Sequence, residues 1–195
     1  VDLKGRPMIS AIILAAGEST RFGQPKQLIQ WQGETLVQRA ARTALQAGLD
    51  PVLVVTGAYA KEVEQALADL PVRCVFNPHW QAGQGTSVAK GVQALPDHTG
   101  AAVFLLADQP QVPMALISSL VESHSSTLMP IIGPLIDGQR GNPVLFDRLT
   151  FKDLSQLQGD IGGRAIFSRY PVQWLPWHDA SASLDIDTPA DLEHL

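Results

Sequence analysis

The stretch ILAAGESTRFGQPK at residues 13–26 turns from an apolar run into a polar loop that carries two cations. Gly17 permits a close approach between the backbone and a ligand, while Arg21 and Lys26 offer a planar fork and a point charge for phosphate oxygens. The loop is not a Walker A motif, because no Gly-Lys-Ser/Thr follows, and its glycines lack the spacing of a dinucleotide fingerprint. A solvated loop with two exposed cations is the alternative, so the stretch alone predicts only a candidate anion site.

Carboxylates suited to a divalent cation follow two later apolar segments. Asp108 ends the run AAVFLLAD. Asp185 and Asp187 lie two apart in LDIDTPADL, so their side chains would point the same way on an extended segment. Mg²⁺ prefers one or two carboxylates together with substrate phosphates and water. The alternatives are structural: Asp108 would begin a turn closed by Pro110, and Asp187 would only favour the start of a following helix.

A glycine-rich segment, GQGTSVAKG at residues 83–91, leads into a predicted helix. Such a helix start presents free N–H groups and a positive dipole end to an anion or to an acceptor-rich base. An ordinary glycine turn with Thr86 or Ser87 as N-cap is the alternative, and both interpretations can hold. Two further segments, DGQRGNP and GDIGGR, set Arg140 and Arg164 beside glycines, where each is either an anion ligand or a solvated charge.

The elements that must position these residues alternate between strand-like and helix-like segments. The predicted strands of the first half are residues 10–16, 51–57, 71–77 and 101–108, and its predicted helices are residues 35–48, 60–70 and 86–95. Strands that are apolar on both faces are typical of a parallel sheet covered on both sides. The pattern therefore predicts an α/β fold, with a doubly wound, mostly parallel sheet in three layers. Ligands of such sheets bind beyond the carboxyl ends of the strands, where the first loop and Asp108 would meet.

The second half of the chain is less regular. Its predicted helices are residues 113–124, 162–170 and 187–195, and its predicted strands are residues 127–134, 142–146 and 172–177. Neither a repeat nor a low-complexity tract divides the sequence, so we expect one domain over residues 1–195, with residues 1–8 as a flexible or added start.

Composition excludes several classes of function. The 195 residues carry a formal net charge of −5, which argues against a nucleic-acid or anionic-membrane partner. The single cysteine, Cys74, lies in a buried-looking strand and rules out an internal disulfide, while the histidines lack zinc-ligand spacing. No apolar stretch reaches the ~20 residues of a membrane-spanning helix, so we expect a cytoplasmic location. Trp31 and Trp80 lie near the site loops and either pack or stack on a ligand ring.

The segment LAAGESTRFGQPK resembles the signature L-A-A-G-x-S-x-R-x-G-x-x-K of nucleotidyltransferases with the nucleotide-diphospho-sugar transferase fold. The chain looks most like the molybdenum cofactor cytidylyltransferases, relatives of the enzymes that attach guanylate to molybdopterin. Further segments have counterparts in that family, in its order, and they are NPHWQAGQGTSVAKG, FLLADQP, RGNPVLF, LQGDIGGR and LDIDTPADL. The resemblance therefore extends over nearly the whole chain.

The resemblance implies roles for individual residues. Asp108 would hold Mg²⁺ or Mn²⁺ together with Asp187, or with Asp185 as the second choice. Arg21, Lys26 and Asp108 would be the catalytic residues. The nucleotide would contact Leu14, Ala15, Ala16, Gly17, Arg21, Lys26, Gly83, Gly85, Ser87 and Asp108. The acceptor would contact Arg140, Gly141, Asn142, Asp160 and Arg164.

The resemblance also implies a reaction. CMP would pass from CTP to the terminal phosphate of molybdopterin, and pyrophosphate would leave without a covalent enzyme intermediate. CTP is preferred because guanylate-transferring relatives tend to carry glycine where this chain has Ala16. A molybdenum hydroxylase or its chaperone would be the protein partner.

Three alternatives stay open on the sequence. The chain would transfer guanylate to the same cofactor, transfer a nucleotide to a sugar phosphate, or deliver the cofactor to a molybdenum hydroxylase without turnover. Two acidic residues at the metal position argue against a purely binding role, since a binder has no need of them beside phosphates. Gln84 stands where many relatives carry methionine, so the contacts of the glycine-rich segment with a nucleotide are an open detail.

Overall fold

The structure, a computed structural model, describes residues 8–19, 22–186 and 191. Its strands are β1 (Met8–Ala15), β2 (Gln30–Trp31), β3 (Glu34–Thr35), β4 (Val52–Thr56), β5 (Arg73–Phe76), β6 (Thr99–Leu106), β7 (Ile131–Ile136), β8 (Gln139–Arg140), β9 (Val144–Asp147) and β10 (Val172–Trp177). Its helices are α1 (Leu36–Gln46), α2 (Ala60–Ala66), α3 (Gln84–Gln93), α4 (Met114–Thr127) and α5 (Phe151–Leu154). The start expected over residues 1–8 overlaps the described residues only at Met8, and the helix predicted over residues 187–195 overlaps them only at Asp191.

Eight strands form one sheet in the order β10-β7-β9-β6-β1-β4-β5, with β8 paired to β7, while β2 and β3 form a separate hairpin. β1 lies in the interior of the sheet and runs parallel to both of its neighbours, β4 and β6. β9 is inserted antiparallel between β6 and β7. The predicted α/β fold with a mostly parallel sheet is confirmed, and its antiparallel part is confined to β8 and β9.

Two apolar cores lie on opposite faces of the sheet, because successive strand residues point to opposite sides. On β1, Ile13 packs with residues of α1, α2 and α4, whereas Ile12 packs with residues of α3 and α5. β4 is buried along its whole length. Burial on both faces explains why these strands are continuous apolar runs rather than alternating ones.

Several element starts differ from the sequence expectation, and two of the differences have a local structural cause. The strand predicted over residues 127–134 begins only at Ile131, because α4 continues through Thr127, whose hydroxyl donates to the carbonyl four residues earlier at 2.8 Å. The helix predicted over residues 86–95 begins at Gln84. Its N-cap is Gly83 at φ +107°, so the expectation of a Thr86 or Ser87 cap was wrong.

Two features of the described residues concern a thiol nucleophile and a membrane-spanning helix, both of which the sequence disfavours. Cys74 is half-buried in β5, and burial followed by the nearby Glu64 carboxylate raises the pKa of its thiol, which disfavours a nucleophilic role. Within the described ranges, no helix combines the length and apolar character needed to cross a membrane.

Candidate active site

A cleft of about 760 Å³ opens at the carboxyl ends of β1 and β6, and we call it the first cleft. Its lining includes residues that the sequence assigned to a site, namely Leu14, Ala16, Gly17, Lys26, Gly83, Ser87, Asp108 and Asp160. Phe22, Trp80 and Gln84 line it as well. The sheet edge therefore brings together the loop after β1, the end of β6 and the start of α3, as expected for a sheet of this type.

The buried side chain of Gln27 supports the loop after β1 through hydrogen bonds, a role that residue spacing did not predict. Gln27 is 3% exposed, and its amide donates to the carbonyls of Gly17 at 3.2 Å and Ala15 at 3.5 Å. Ser19 Oγ donates to Gln27 Oε1 at 3.4 Å and accepts from the Lys26 backbone N–H at 3.1 Å. Because a buried amide must keep its partners, this network fixes the loop backbone that carries Lys26.

Lys26 and Asp108 form an ion pair inside the first cleft. Lys26 Nζ lies 3.0 Å from Asp108 Oδ2, and the two side chains are 16% and 29% exposed. Partial burial strengthens the attraction relative to that of a fully solvated surface pair. The carboxylate that the sequence assigned to a metal is thus already paired with a positively charged side chain of the protein.

Two glycines at the start of α3 serve a close contact with another loop. A Cβ on Gly83 would lie 2.3 Å from the Gly159 carbonyl carbon, and a Cβ on Gly85 would lie 2.9 Å from the Gln158 oxygen. The Gly85 N–H donates to the Gly159 carbonyl at 2.9 Å. This N–H, which the sequence analysis reserved for a ligand, is therefore used by the protein itself.

Ser87 and Trp80 form the wall of the first cleft beside α3. Ser87 is 4% exposed, and its Oγ accepts from Asn77 Nδ2 at 3.0 Å, so the hydroxyl proton can be donated into the cleft. Trp80 packs so closely on Gly57 that a Cβ there would lie 2.8 Å from the tryptophan side chain. The wall is thus a packed surface with one hydroxyl donor.

A second cleft of about 450 Å³ adjoins the first, and Leu14, Gln84 and Leu106 line both. Its apolar side consists of Val88, Phe104, Val144 and Phe146, and its polar side includes Gln109, Gln139, Arg140, Asn142, Arg164, Ser183 and Asp185. Of the residues assigned to an acceptor, Arg140, Gly141, Asn142 and Arg164 line the second cleft. Asp160 lines the first cleft instead.

The two arginines of the second cleft are oriented by contacts within the protein. The Arg140 guanidinium carbon lies 5.2 Å from the centroid of the Trp174 ring. Arg164 Nη2 donates to the Arg140 carbonyl at 3.2 Å. These contacts hold both cations at the edge of the second cleft.

The last described segment meets the end of β6 beside both clefts. The Ile186 N–H donates to the Asp108 carbonyl at 3.0 Å. Asp185 Oδ1 accepts from Gln109 Nε2 at 2.8 Å, and both of these side chains line the second cleft, whereas Asp108 lines the first. Asp187, the residue after Ile186, lies outside the described residues.

The sequence matches the MobA-like NTP transferase domain over residues 11–174. The chain belongs to this family. The family resemblance found in the sequence is thereby confirmed.

Relatives of this MobA-like chain carry different names. It is 33% identical to nicotine blue oxidoreductase of Paenarthrobacter nicotinovorans, over 97% of both proteins. It is 27% identical to molybdenum cofactor cytidylyltransferase of Escherichia coli, over 94% of this chain and 93% of that one. It is also 27% identical to a probable molybdenum cofactor guanylyltransferase of Bacillus cereus, over 90% and 88%. The structure of Rv0371c from Mycobacterium tuberculosis in complex with manganese has a TM-score of 0.83, with 28% identity over 96% of this chain and 97% of that one.

Three details of the MobA-like site differ from the sequence analysis or lie beyond the described part. Ala15 is 4% exposed and packs in the core that includes α1, so of the two alanines only Ala16 lines the first cleft. Trp31 lies under the Arg39 guanidinium at 4.1 Å and lines neither cleft. Arg21 lies outside the described residues.

The donor set of this MobA-like site fits a divalent cation that arrives with phosphates. Within residues 8–19, 22–186 and 191, no three His, Cys, Asp or Glu side chains are grouped closely enough to hold a metal by themselves. Mg²⁺ and Mn²⁺ need few protein carboxylates when substrate phosphates complete their shell. Asp108 meets this requirement, because its carboxylate lines the first cleft and already accepts a cationic group.

Proposed function

We propose that this chain transfers CMP from CTP to the terminal phosphate of molybdopterin, with release of pyrophosphate. The observation that carries the proposal is the junction of the two clefts at Leu14, Gln84 and Leu106. A group transfer between two molecules requires adjoining sites that align the reacting atoms, and the junction provides such sites.

The nucleotide occupies the first cleft. Lys26 and Arg21 contribute positive charge at the phosphates, which a protein of net charge −5 must supply locally. Gly17 leaves open space beside them, because among the described residues no atom other than those of its chain neighbours lies within 4 Å of the position that a Cβ would take. Ser87 donates its hydroxyl to the base or the ribose.

Asp108 and Asp187 hold Mg²⁺ or Mn²⁺ at the phosphates, and the bound ion supplies charge neutralisation there. Asp185 is assigned to the acceptor side, because its carboxylate lines the second cleft and accepts from Gln109. This assignment favours Asp187 over Asp185 as the second carboxylate.

The reaction needs no general base, because a phosphate acceptor is anionic at neutral pH. An acceptor phosphate oxygen forms a bond to the α-phosphorus while the bond from that phosphorus to the bridging oxygen breaks, and pyrophosphate leaves with the electron pair. Lys26 and Arg21 stabilise the charge that moves onto the leaving group, and the cleft walls keep the reacting atoms in line.

The acceptor occupies the second cleft. Phe104 and Phe146 give the second cleft an apolar lining against which a ring system can pack. Arg140 and Arg164 supply the positive charge that a phosphorylated acceptor requires. A pterin that carries a phosphate combines both properties.

The choice of nucleotide depends on Ala16. Overall identity does not decide it, because the cytidylyltransferase and guanylyltransferase relatives are both 27% identical to this chain. The Ala16 side chain lines the first cleft and reduces the room for a purine. One methyl group discriminates by about 1–3 kcal/mol, so a clear but incomplete preference for CTP follows.

The test measures pyrophosphate release with molybdopterin and each of CTP, GTP, ATP and UTP. We expect CTP to exceed GTP by about tenfold or more in kcat/KM, and Ala16→Gly to narrow that gap. Ala82→Gly, another alanine of the first cleft, is the matched control and should leave the ratio unchanged. A wild-type preference for GTP would replace the proposal with the guanylyltransferase alternative, and faster transfer to a sugar phosphate would overturn the acceptor. Binding of CTP and molybdopterin without pyrophosphate release would favour the delivery module.

A redox activity is the second candidate, favoured by the 33% identity to nicotine blue oxidoreductase. The same preparation is mixed with nicotine blue and a reduced nicotinamide cofactor, and the absorbance of the cofactor is followed. Under the proposal this absorbance stays constant. Turnover of the cofactor in a protein that releases no pyrophosphate would establish the second candidate instead.

A further inference from the structure

We infer that Lys26 blocks the metal position of Asp108 until a nucleotide arrives, so that nucleotide binding controls metal binding. The inference rests on the proposed function, since it assumes a nucleotide in the first cleft. It starts from the ion pair between Lys26 Nζ and Asp108 Oδ2 at 3.0 Å.

One carboxylate oxygen cannot serve both cations at full strength. A divalent ion binds a carboxylate oxygen at about 2.1 Å, well inside the distance at which the Lys26 ammonium already lies. Two positive charges at the same oxygen repel each other, and partial burial of the pair reduces the screening of that repulsion. A metal ion that arrives alone therefore binds Asp108 weakly unless the lysine is displaced.

The described residues around Asp108 offer little to offset that displacement. In the described part of the chain no cluster of three metal-binding side chains is present, so Asp108 does not belong to a ready-made cage there. A metal ion alone would exchange water for few oxygens of the described residues, and the contact between Lys26 and Asp108 would be lost. Both the repulsion from Lys26 and the small number of described metal ligands thus disfavour metal binding without a nucleotide.

A nucleotide changes this balance because it gives Lys26 another anionic partner. The Lys26 backbone is held by its N–H bond to Ser19 Oγ at 3.1 Å, whereas its side chain is a flexible four-carbon stem. Rotation of this side chain can therefore move the ammonium group from Asp108 to a phosphate. The carboxylate is then available to a metal ion whose other ligands are phosphate oxygens and water.

The experiment measures Mn²⁺ binding by water-proton relaxation, with and without a CTP analogue whose α,β-bridge is a methylene group. Wild type should bind Mn²⁺ at least tenfold more tightly with the analogue than without it. Lys26→Met, which keeps most of the side chain's length but removes the charge, should bind Mn²⁺ alone at least tenfold more tightly than wild type. Lys26→Gln gives the same measurement should the methionine variant not fold. Asp108→Asn should abolish both increases in Mn²⁺ affinity, the one caused by the analogue in wild type and the one caused by the Lys26 substitution.

Lys90→Met is the matched control, because it removes one positive charge from α3 outside the first cleft's lining and should leave Mn²⁺ affinity unchanged. Equal or weaker Mn²⁺ binding in both Lys26 variants would overturn the inference, even in a protein that releases pyrophosphate from CTP. Absence of pyrophosphate release with every nucleotide, together with the tighter Mn²⁺ binding of Lys26→Met, would overturn the proposed reaction and leave the ion-pair block standing.

Discussion

At the scale of single residues, Asp108 joins several contacts that the sequence keeps far apart. Its carboxylate pairs with Lys26, and its backbone carbonyl accepts from Ile186. The backbone contact does not depend on the side-chain charge, so the charge can be removed while the local fold is kept. Asp108 is therefore a position where function and stability can be separated.

Asp108→Asn should lower kcat by about a hundredfold or more, because a neutral amide is a poorer metal ligand and transition-state charge is lost. Its free energy of unfolding should change by only about 0–1 kcal/mol, as for other partly exposed ion pairs. Pyrophosphate release and urea unfolding check the two values. Asp69→Asn, at an exposed position just beyond α2, is the control and should leave turnover unchanged. Near wild-type turnover of Asp108→Asn would contradict the metal assignment.

Gly17 and Gly83 should respond in opposite ways to alanine. Gly17→Ala should leave the melting temperature unchanged, since no described residue other than its chain neighbours lies within 4 Å of the added Cβ. It should nevertheless raise KM for the nucleotide several-fold by filling the cleft. Gly83→Ala should cost about 1–3 kcal/mol of unfolding free energy, because it stands at φ +107° and meets Gly159 at 2.3 Å. Thermal unfolding and nucleotide kinetics test both; an unchanged KM in Gly17→Ala would remove this glycine from the site.

At the scale of elements, a pair of side chains, one buried and one half-buried, joins α4 to β9. His124 is 1% exposed, and its Nε2 lies 2.8 Å from Asp147 Oδ2. Asp147 Oδ1 also accepts from the Leu149 N–H at 2.8 Å. Burial acts to raise the pKa of Asp147, but the hydrogen bonds from His124 and the Leu149 amide outweigh it and lower that pKa below its ordinary value.

Asp147→Asn should cost about 1–3 kcal/mol of unfolding free energy at neutral pH, because it removes a charged acceptor while keeping an oxygen for the Leu149 N–H. A lowered pKa in the folded state stabilises the fold above the ordinary aspartate pKa of about 3.9, and that contribution is lost as pH falls through the folded-state value. The difference in unfolding free energy between wild type and Asp147→Asn should therefore shrink below about pH 4. Urea unfolding across pH measures it, with Asp69→Asn as control; a difference that stays constant with pH would contradict the role of the charge.

Among the elements, strands were easier to predict than ends and turns. β4 is predictable because each of its residues is buried, so the apolar run is uninterrupted. The end of α4 was missed because serine and threonine side chains can continue a helix by bonding to its own carbonyls, as Thr127 does. A pattern of residue types does not show which of these local bonds is made.

At the scale of the whole molecule, the predictable part of the site is its location, and the unpredictable part is its internal pairing. The β1 loop and Asp108 were expected at one sheet edge because the carboxyl ends of parallel strands meet there. Neither the pairing of Lys26 with Asp108 nor the support from Gln27 follows from residue spacing. Both depend on side-chain directions that only the folded chain determines.

The shared wall of Leu14, Gln84 and Leu106 has a consequence for the release of product. Because these residues border both clefts, a dinucleotide formed by the proposed reaction would keep the contacts of both halves within one molecule. Linked ligands bind far more tightly than either half alone, since the second contact is intramolecular. The product would thus act as its own strongest inhibitor, with a fast first turnover followed by slow steady-state cycling. A protein that removes the dinucleotide would then limit the rate of steady-state turnover more than the supply of either substrate does.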